Sequence, residues 1–388
     1  MRRNRSNPFG RLLAVTATIL LISAVAFMTL EYISGLALKL IRDKRSAVAA
    51  AYSDDDIKAL YDTDQPSRYR TVLSESWRAG ETTYTPFVEY RMTPGKSKTF
   101  TIAEEGYRGN GGEGQDLIAK GAKVFVFGGS TTLGFGVADD ETIPAMLEKM
   151  LHAAGRSDLQ VFNFGATAYT STSERITLET LLTSGIKPDV AVFIDGLGDF
   201  DYCAAPDQSA WNDRLVQLTR GRARLPLAVE LFHRSNVVQI VRHLGGDRSV
   251  SLRDWGAFCR NDEDVDRAVR RLDTNHRMID AMAERLGFKA VFVQQPVPTY
   301  GYDNRKRPLP VKDEMLGYHV NSAKGYLKLA ELRAEGKLWE RGLLWLADLE
   351  PAEGNAYIDA VHYSPGFNRV IAEKIAAALQ DGGMLPPP

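Results

Sequence analysis

Almost no net charge, only two cysteines and no internal repeat mark this 388-residue chain. A formal net charge of −1 leaves no basic face of the kind nucleic-acid binding requires. Cys203 and Cys259 share no metal-binding spacing, and neither belongs to a Cys-x-x-Cys pair. No residue pattern calls for a metal or a cofactor. Two readings of the cysteines stay open. They are separate thiols, or in an oxidising compartment they bridge and close one long loop, which the chain-entropy model values at roughly 4 kcal/mol. Charged residues at 25% and apolar residues at 44% are the balance of an ordinary globular protein.

What is present begins at the N-terminus. Residues 12–30, LLAVTATILLISAVAFMTL, carry no charge and come close to the ~20 residues that cross a hydrocarbon core. Arg2, Arg3, Arg5 and Arg11 form a basic flank over 1–11. A cleavable signal has a shorter apolar region and a small-residue cleavage site close behind it. Here Glu31 and Tyr32 follow, and the first small-residue cluster, Ala47 and Ala49–Ala51, lies far downstream. The segment 12–32 therefore reads as an uncleaved transmembrane signal anchor. The positive-inside rule places the N-terminus in the cytoplasm, although Lys39, Arg42, Lys44 and Arg45 on the other side weaken the bias. The expectation is a single-pass protein with its catalytic domain periplasmic or otherwise extracytoplasmic.

Residues 46–120 read as an accessory or linker region. Ile57, Leu60 and Tyr61 give a short helical stripe. TYTPFVEYRM (83–92) and KTFTI (98–102) read as strands with Pro94-Gly95 as the turn between them. GNGGEG (109–114) reads as a linker. From 121 to 380 the pattern changes. Near-continuous apolar strands (123–130, 159–166, 189–199, 289–298) alternate with amphipathic helices (141–155, 173–185, 265–287, 368–380). This predicts an α/β fold with a parallel sheet covered on both faces. An irregular insertion at about 201–262 interrupts it, with Trp211, Trp255, Arg214, Arg220, Arg222 and Arg224, and an apolar helical face at Val237, Val238, Val241 and Leu244. It is either a pocket cap or a surface excursion.

In such sheets, sites form outside the carboxyl ends of the strands. Gly128-Gly129-Ser130 follows the first strand, where a tight turn can expose a hydroxyl. Asn163-Phe164-Gly165 ends the second strand, and Gly196-Leu197-Gly198-Asp199 ends the third. Asp359-Ala360-Val361-His362 precedes the last helix, a spacing that lets a carboxylate orient an imidazole. Singly, each is also an ordinary turn. Together, their order resembles the SGNH (GDSL-type) hydrolase family over roughly 121–380.

The resemblance implies a three-layer, flavodoxin-like α/β/α fold and a serine esterase. Ser130 would be the nucleophile, His362 its general base and Asp359 the residue that orients His362. The N–H groups of Ser130 and Gly165 would line the oxyanion hole. Two positions depart from the pattern. Gly129 stands where the GDS signature has Asp, a swap that leaves the chemistry alone. Gly198 stands where the family has Asn, the third oxyanion donor, and losing one donor typically costs ~10²–10³ in rate. If the site has room, Gly198→Asn should raise turnover.

Asn163 is a candidate substitute donor, and Asp195, Gln294 and Gln295 are candidate substrate contacts. Each is equally a structural turn residue. His276 and His319 have no partner at a telling spacing and read as structural. The resemblance further implies an acylated carbohydrate or other ester as substrate, with O-acetyl groups of an envelope or exported glycan foremost. It also implies two alternatives. One is an O-acyltransferase using the same triad, with a membrane-bound acyltransferase as partner. The other is a non-catalytic module that binds a glycan or a partner protein.

Overall fold

The computed structural model describes residues 8–45, 52–79, 81–112, 115–201, 203, 235–244, 259, 261–311 and 316–387. The chain divides into two compact units, one of residues 1–47 with 214–249, the other of 48–213 with 250–388. Most of the insertion, with Trp211, Trp255 and its four arginines, lies outside the described residues, as do Arg2, Arg3 and Arg5.

The larger unit is built on a five-stranded parallel sheet in the order β6-β5-β7-β8-β9. Its strands are β5 (Ala122–Gly128), β6 (Leu159–Gly165), β7 (Val190–Asp195), β8 (Lys289–Gln294) and β9 (Leu343–Trp345). Strands that are apolar at every position need cover on both faces, and the two sets of alternate side chains find it. Val124, Val126, Val161, Val192 and Val293 pack under the helices Ile143–Ala153 and Pro365–Asp381. Phe125, Phe127, Phe162, Phe193 and Phe292 pack under Ser171–Thr183 and Asp262–Leu286. Counting only this sheet, the order is 2-1-3-4-5, the doubly wound arrangement that gathers its site at the carboxyl strand ends.

Two elements here were not read from sequence. The strand β9 has three residues, and the helix Asn321–Ala334 carries Gly325 against Phe200 in place of a clear apolar stripe. The third strand also ends earlier than expected, and residues Leu197–Asp201 turn into a short helix. Cys203 and Cys259 are joined as a disulfide with Cα atoms 5.4 Å apart, inside the usual range. The bridge closes a span of 56 residues within the insertion.

The accessory region is structured. Asp54–Tyr61 is a helix capped by Ser53, and its Ile57, Leu60 and Tyr61 are buried as the stripe predicts. A second helix, Pro66–Ala79, packs on it. The expected single strand over 83–92 is instead a hairpin, β1 (Thr82–Thr85) paired antiparallel with β2 (Glu89–Met92). The chain reverses because Pro86 offers no N–H and both Phe87 and Glu89 adopt positive φ. A second small pair joins Gly95–Lys96 to Thr101–Ile102, so the turn falls at 97–100 and not at Pro94-Gly95. The described part of 109–114 is more than a linker. Asn110 is buried and donates to Val161 O at 2.6 Å.

The smaller unit contains the helix Pro8–Arg45 (α1), whose stretch Phe9–Leu38 is long and apolar enough to cross a membrane. A signal sequence would meet the same criterion. Its large apolar side chains from Phe9 to Leu36 are mostly exposed. The insertion helix Asn236–Leu244 packs on α1. Glu31 of α1 accepts hydrogen bonds from Ser235 Oγ (2.7 Å) and from the N–H groups of Asn236 and Val237, so one carboxylate caps the first turn of that helix.

Candidate active site

Ser130 opens a one-turn helix, Ser130–Leu133, directly after β5. The turn requires Gly128, because a Cβ there would lie 2.0 Å from Thr132 Oγ1. A buried arginine then locks it. Arg108 is fully buried, donates to the carbonyls of Leu133 (2.8 Å), Gly134 (2.6 Å) and Val137 (2.7 Å), and pairs with Asp139 at 2.8 Å. The carbonyls of Leu133 and Gly134 belong to the end of that one-turn helix. Nothing in the sequence marks Arg108, since these four partners are 25–31 residues away.

His362 Nε2 stands 2.8 Å from Ser130 Oγ, and His362 Nδ1 stands 2.7 Å from Asp359 Oδ2. A carboxylate can only accept, so Nδ1 carries the hydrogen and Nε2 is left to accept from the serine hydroxyl. Asp359 Oδ1 also accepts from the N–H groups of His362 (2.8 Å) and Val361 (3.0 Å). Burial pushes the Asp359 carboxyl up, but the facing His362 ring and these hydrogen bonds outweigh it and hold it at about 2. The carboxylate still has 32% of its side-chain surface open. Phe135 lies against the imidazole, with ring centroids 4.7 Å apart.

Two further residues tie the pieces together. Gln295 Oε1 accepts from Thr131 Oγ1 (2.7 Å) and Tyr363 OH (3.0 Å), linking the neighbour of the nucleophile to the neighbour of the base. Arg307 donates to the carbonyls of Asp359 (2.6 Å) and Ala360 (3.0 Å), fixing the loop that carries the acid and the base. Gln295 was a candidate substrate contact; it is a brace.

The other predicted residues divide differently. Gly165 N–H donates to Asn163 Oδ1 at 2.9 Å, so that amide is spent inside the protein and cannot face an oxyanion. Asn163 is fully buried, and its Nδ2 donates to Thr132 O at 3.0 Å. It shapes the nucleophile turn and is not a substitute donor. Asp195 is buried and bonded to His276 Nε2 at 3.0 Å. Gln294 is buried beside Gly196 and Tyr326. Neither lines an open surface. His319 Nδ1 pairs with Asp201 at 3.0 Å, a partner 118 residues away that local spacing could not reveal.

The loop after β6 supplies a free amide instead, beside that of Ser130. Among the described residues, no acceptor bonds to the N–H of Ala168 or of Ser130. Ala168 has φ +60°, and successive amides around such a left-handed residue form an anion-binding concavity. The loop runs beside the nucleophile turn, since Tyr169 O lies 3.5 Å from where a Gly129 Cβ would stand. The same carbonyl is only 2.2 Å from the Cβ position of Gly198. There is thus no room for the side chain that would supply the missing donor.

No protein-family model and no curated protein matches the chain. Solved structures do resemble it. The lipase/acylhydrolase from Enterococcus faecalis is 15% identical, with TM-score 0.33, covering 69% of this chain and 98% of its own. The acetyl xylan esterase AlAXEase is 14% identical, with TM-score 0.34, covering 66% and 99%. A GDSL-like lipase from Bacteroides thetaiotaomicron is 11% identical, with TM-score 0.32, covering 67% and 88%. The fold and the chemistry rest on this chain's own sheet order and residues.

Proposed function

We propose that the protein is a membrane-anchored serine esterase of the SGNH type. The observation that carries this reading is the unbroken relay from Ser130 Oγ through His362 to Asp359, at 2.8 and 2.7 Å. Ser130 attacks the ester carbonyl while His362 Nε2 takes its proton. The carbonyl oxygen becomes an oxyanion and accepts from the N–H groups of Ser130 and Ala168. Collapse of the adduct breaks the ester C–O bond, and His362 returns its proton to the leaving alcohol. Water, deprotonated by His362, then releases the acid from Ser130. Asp359 stabilises the imidazolium in both halves, and its low pKa keeps it charged throughout the range in which an esterase works.

The apolar stretch Phe9–Leu38 supports an anchor, and the joined cysteines favour a catalytic domain outside the cytoplasm. In that setting an acyl ester of an envelope or exported glycan, O-acetyl foremost, is the proposed substrate. The test is covalent labelling of the purified full-length protein by a fluorophosphonate, alongside Ser130→Ala. Labelling confined to the parent is expected. A parent that stays unlabelled sinks the esterase reading.

A further inference from the structure

The oxyanion loop is gripped by the accessory hairpin. Tyr169 OH donates to Tyr90 O at 2.6 Å, and Tyr90 OH donates to Thr167 O at 2.9 Å. The two rings meet edge to face with centroids 5.4 Å apart. Each phenol bonds the backbone of the other segment, so the pair is reciprocal. It anchors Thr167 and Tyr169, the residues on either side of Ala168. Tyr90 belongs to β2, and Tyr169, Val88, Tyr90, Met92 and Leu133 share one buried cluster.

Ala168 needs this support. Its left-handed backbone disfavours any residue with a Cβ, and the loop is not a strand or helix that would hold it. Loops left to themselves sample many conformations, and donors aimed at developing charge must be fixed before the reaction. We propose that Tyr90 and Tyr169 form a positioning clamp through which the accessory hairpin holds the Ala168 amide as an oxyanion donor. The inference rests on the esterase reading. It gives the hairpin a catalytic consequence: the clamp fixes the Ala168 amide, which stands in for the spent Gly165 amide, while the Tyr169 carbonyl lies over Gly198. Burial raises the Tyr169 phenol to about 12, so it remains a donor at any pH where the triad works.

The test compares Tyr90→Phe and Tyr169→Phe with the parent, as full-length protein in detergent. Both variants keep the ring and lose one hydroxyl. Each should lower kcat on p-nitrophenyl acetate by roughly 10- to 100-fold, the scale of a misplaced catalytic group, with KM within about twofold of the parent. Affinity for a small alkyl boronic acid, which forms a tetrahedral anionic adduct on Ser130, should fall in step with kcat. Fluorophosphonate labelling of the parent is scored separately. An unlabelled parent defeats the esterase reading itself. A labelled parent whose Phe variants keep parental kcat and boronate affinity, even with a lowered melting temperature, overturns the clamp alone.

Discussion

Gly198 sits under the carbonyl of Tyr169, and that contact changes what a substitution there can achieve. Read in sequence, the position lacks a donor, and Asn looks restorative. In the fold, any Cβ meets a backbone oxygen at 2.2 Å, which cannot step aside as the end of a flexible side chain would. Gly198→Ala and Gly198→Asn should therefore both destabilise the protein, by about 1–3 kcal/mol as overpacking does. Neither should raise esterase turnover. Thermal melts and p-nitrophenyl acetate turnover decide it, and a faster Asn variant would show that the loop can swing away and accept the amide. Residue identities were legible where chemistry is local. Asp359 and His362 lie three apart, and Ser130 follows a strand. Asn163, Asp195 and Gln294 look like substrate contacts because they are polar at strand ends. Their neighbours Thr132, His276 and Tyr326 are brought there by tertiary packing, which spacing does not display. Ala168 was missed because a left-handed alanine carries no signal in the sequence.

Elements with a strong period could be read; those shaped by their neighbours could not. The strands of the large sheet and the helices over them were placed to within a few residues in most cases. The accessory hairpin was taken as one strand because its alternation is weak and Pro86 can sit at a strand edge as well as in a turn. At the other end of the scale, the helix Asn236–Leu244 has an apolar face that is visible in sequence, but its cap is Glu31, 205 residues away. That cap explains an acidic residue at the end of an apolar run. Glu31→Ala should release the first turn of the insertion helix by removing its cap. Proteolysis within 236–244 of detergent-solubilised protein should then quicken roughly fivefold, while Glu31→Gln, which keeps an acceptor, should lie between. Equal rates in all three would remove the capping role.

At the scale of the molecule, the site rests on a buried acidic layer that the sequence disclosed only as scattered carboxylates. Glu174, Asp195 and Asp199 lie together behind the strand ends, with Ser171 Oγ donating to Asp199 at 2.6 Å. Burial and the charge of Asp195 raise Asp199 to about 6, and burial raises Glu174 well above its ordinary value. Both groups hold protons in the folded state that they have lost in the unfolded state. Their ionisation therefore costs stability as pH rises from about 4 through 6. Asp359 acts in the opposite sense. Held at about 2, it contributes stability above pH ~4 that is lost as the pH falls towards 2. The two windows leave a maximum near pH 4–5 for these groups. Melting temperatures of the full chain across pH 4–8 should decline from about pH 5 upward, and Asp199→Asn, which cannot ionise, should flatten the decline. A parent profile that is flat or rising between pH 5 and 7 would mean that the acidic layer is ionised without penalty, with its charge met by Arg271, which donates to the Asp199 carbonyl at 3.2 Å.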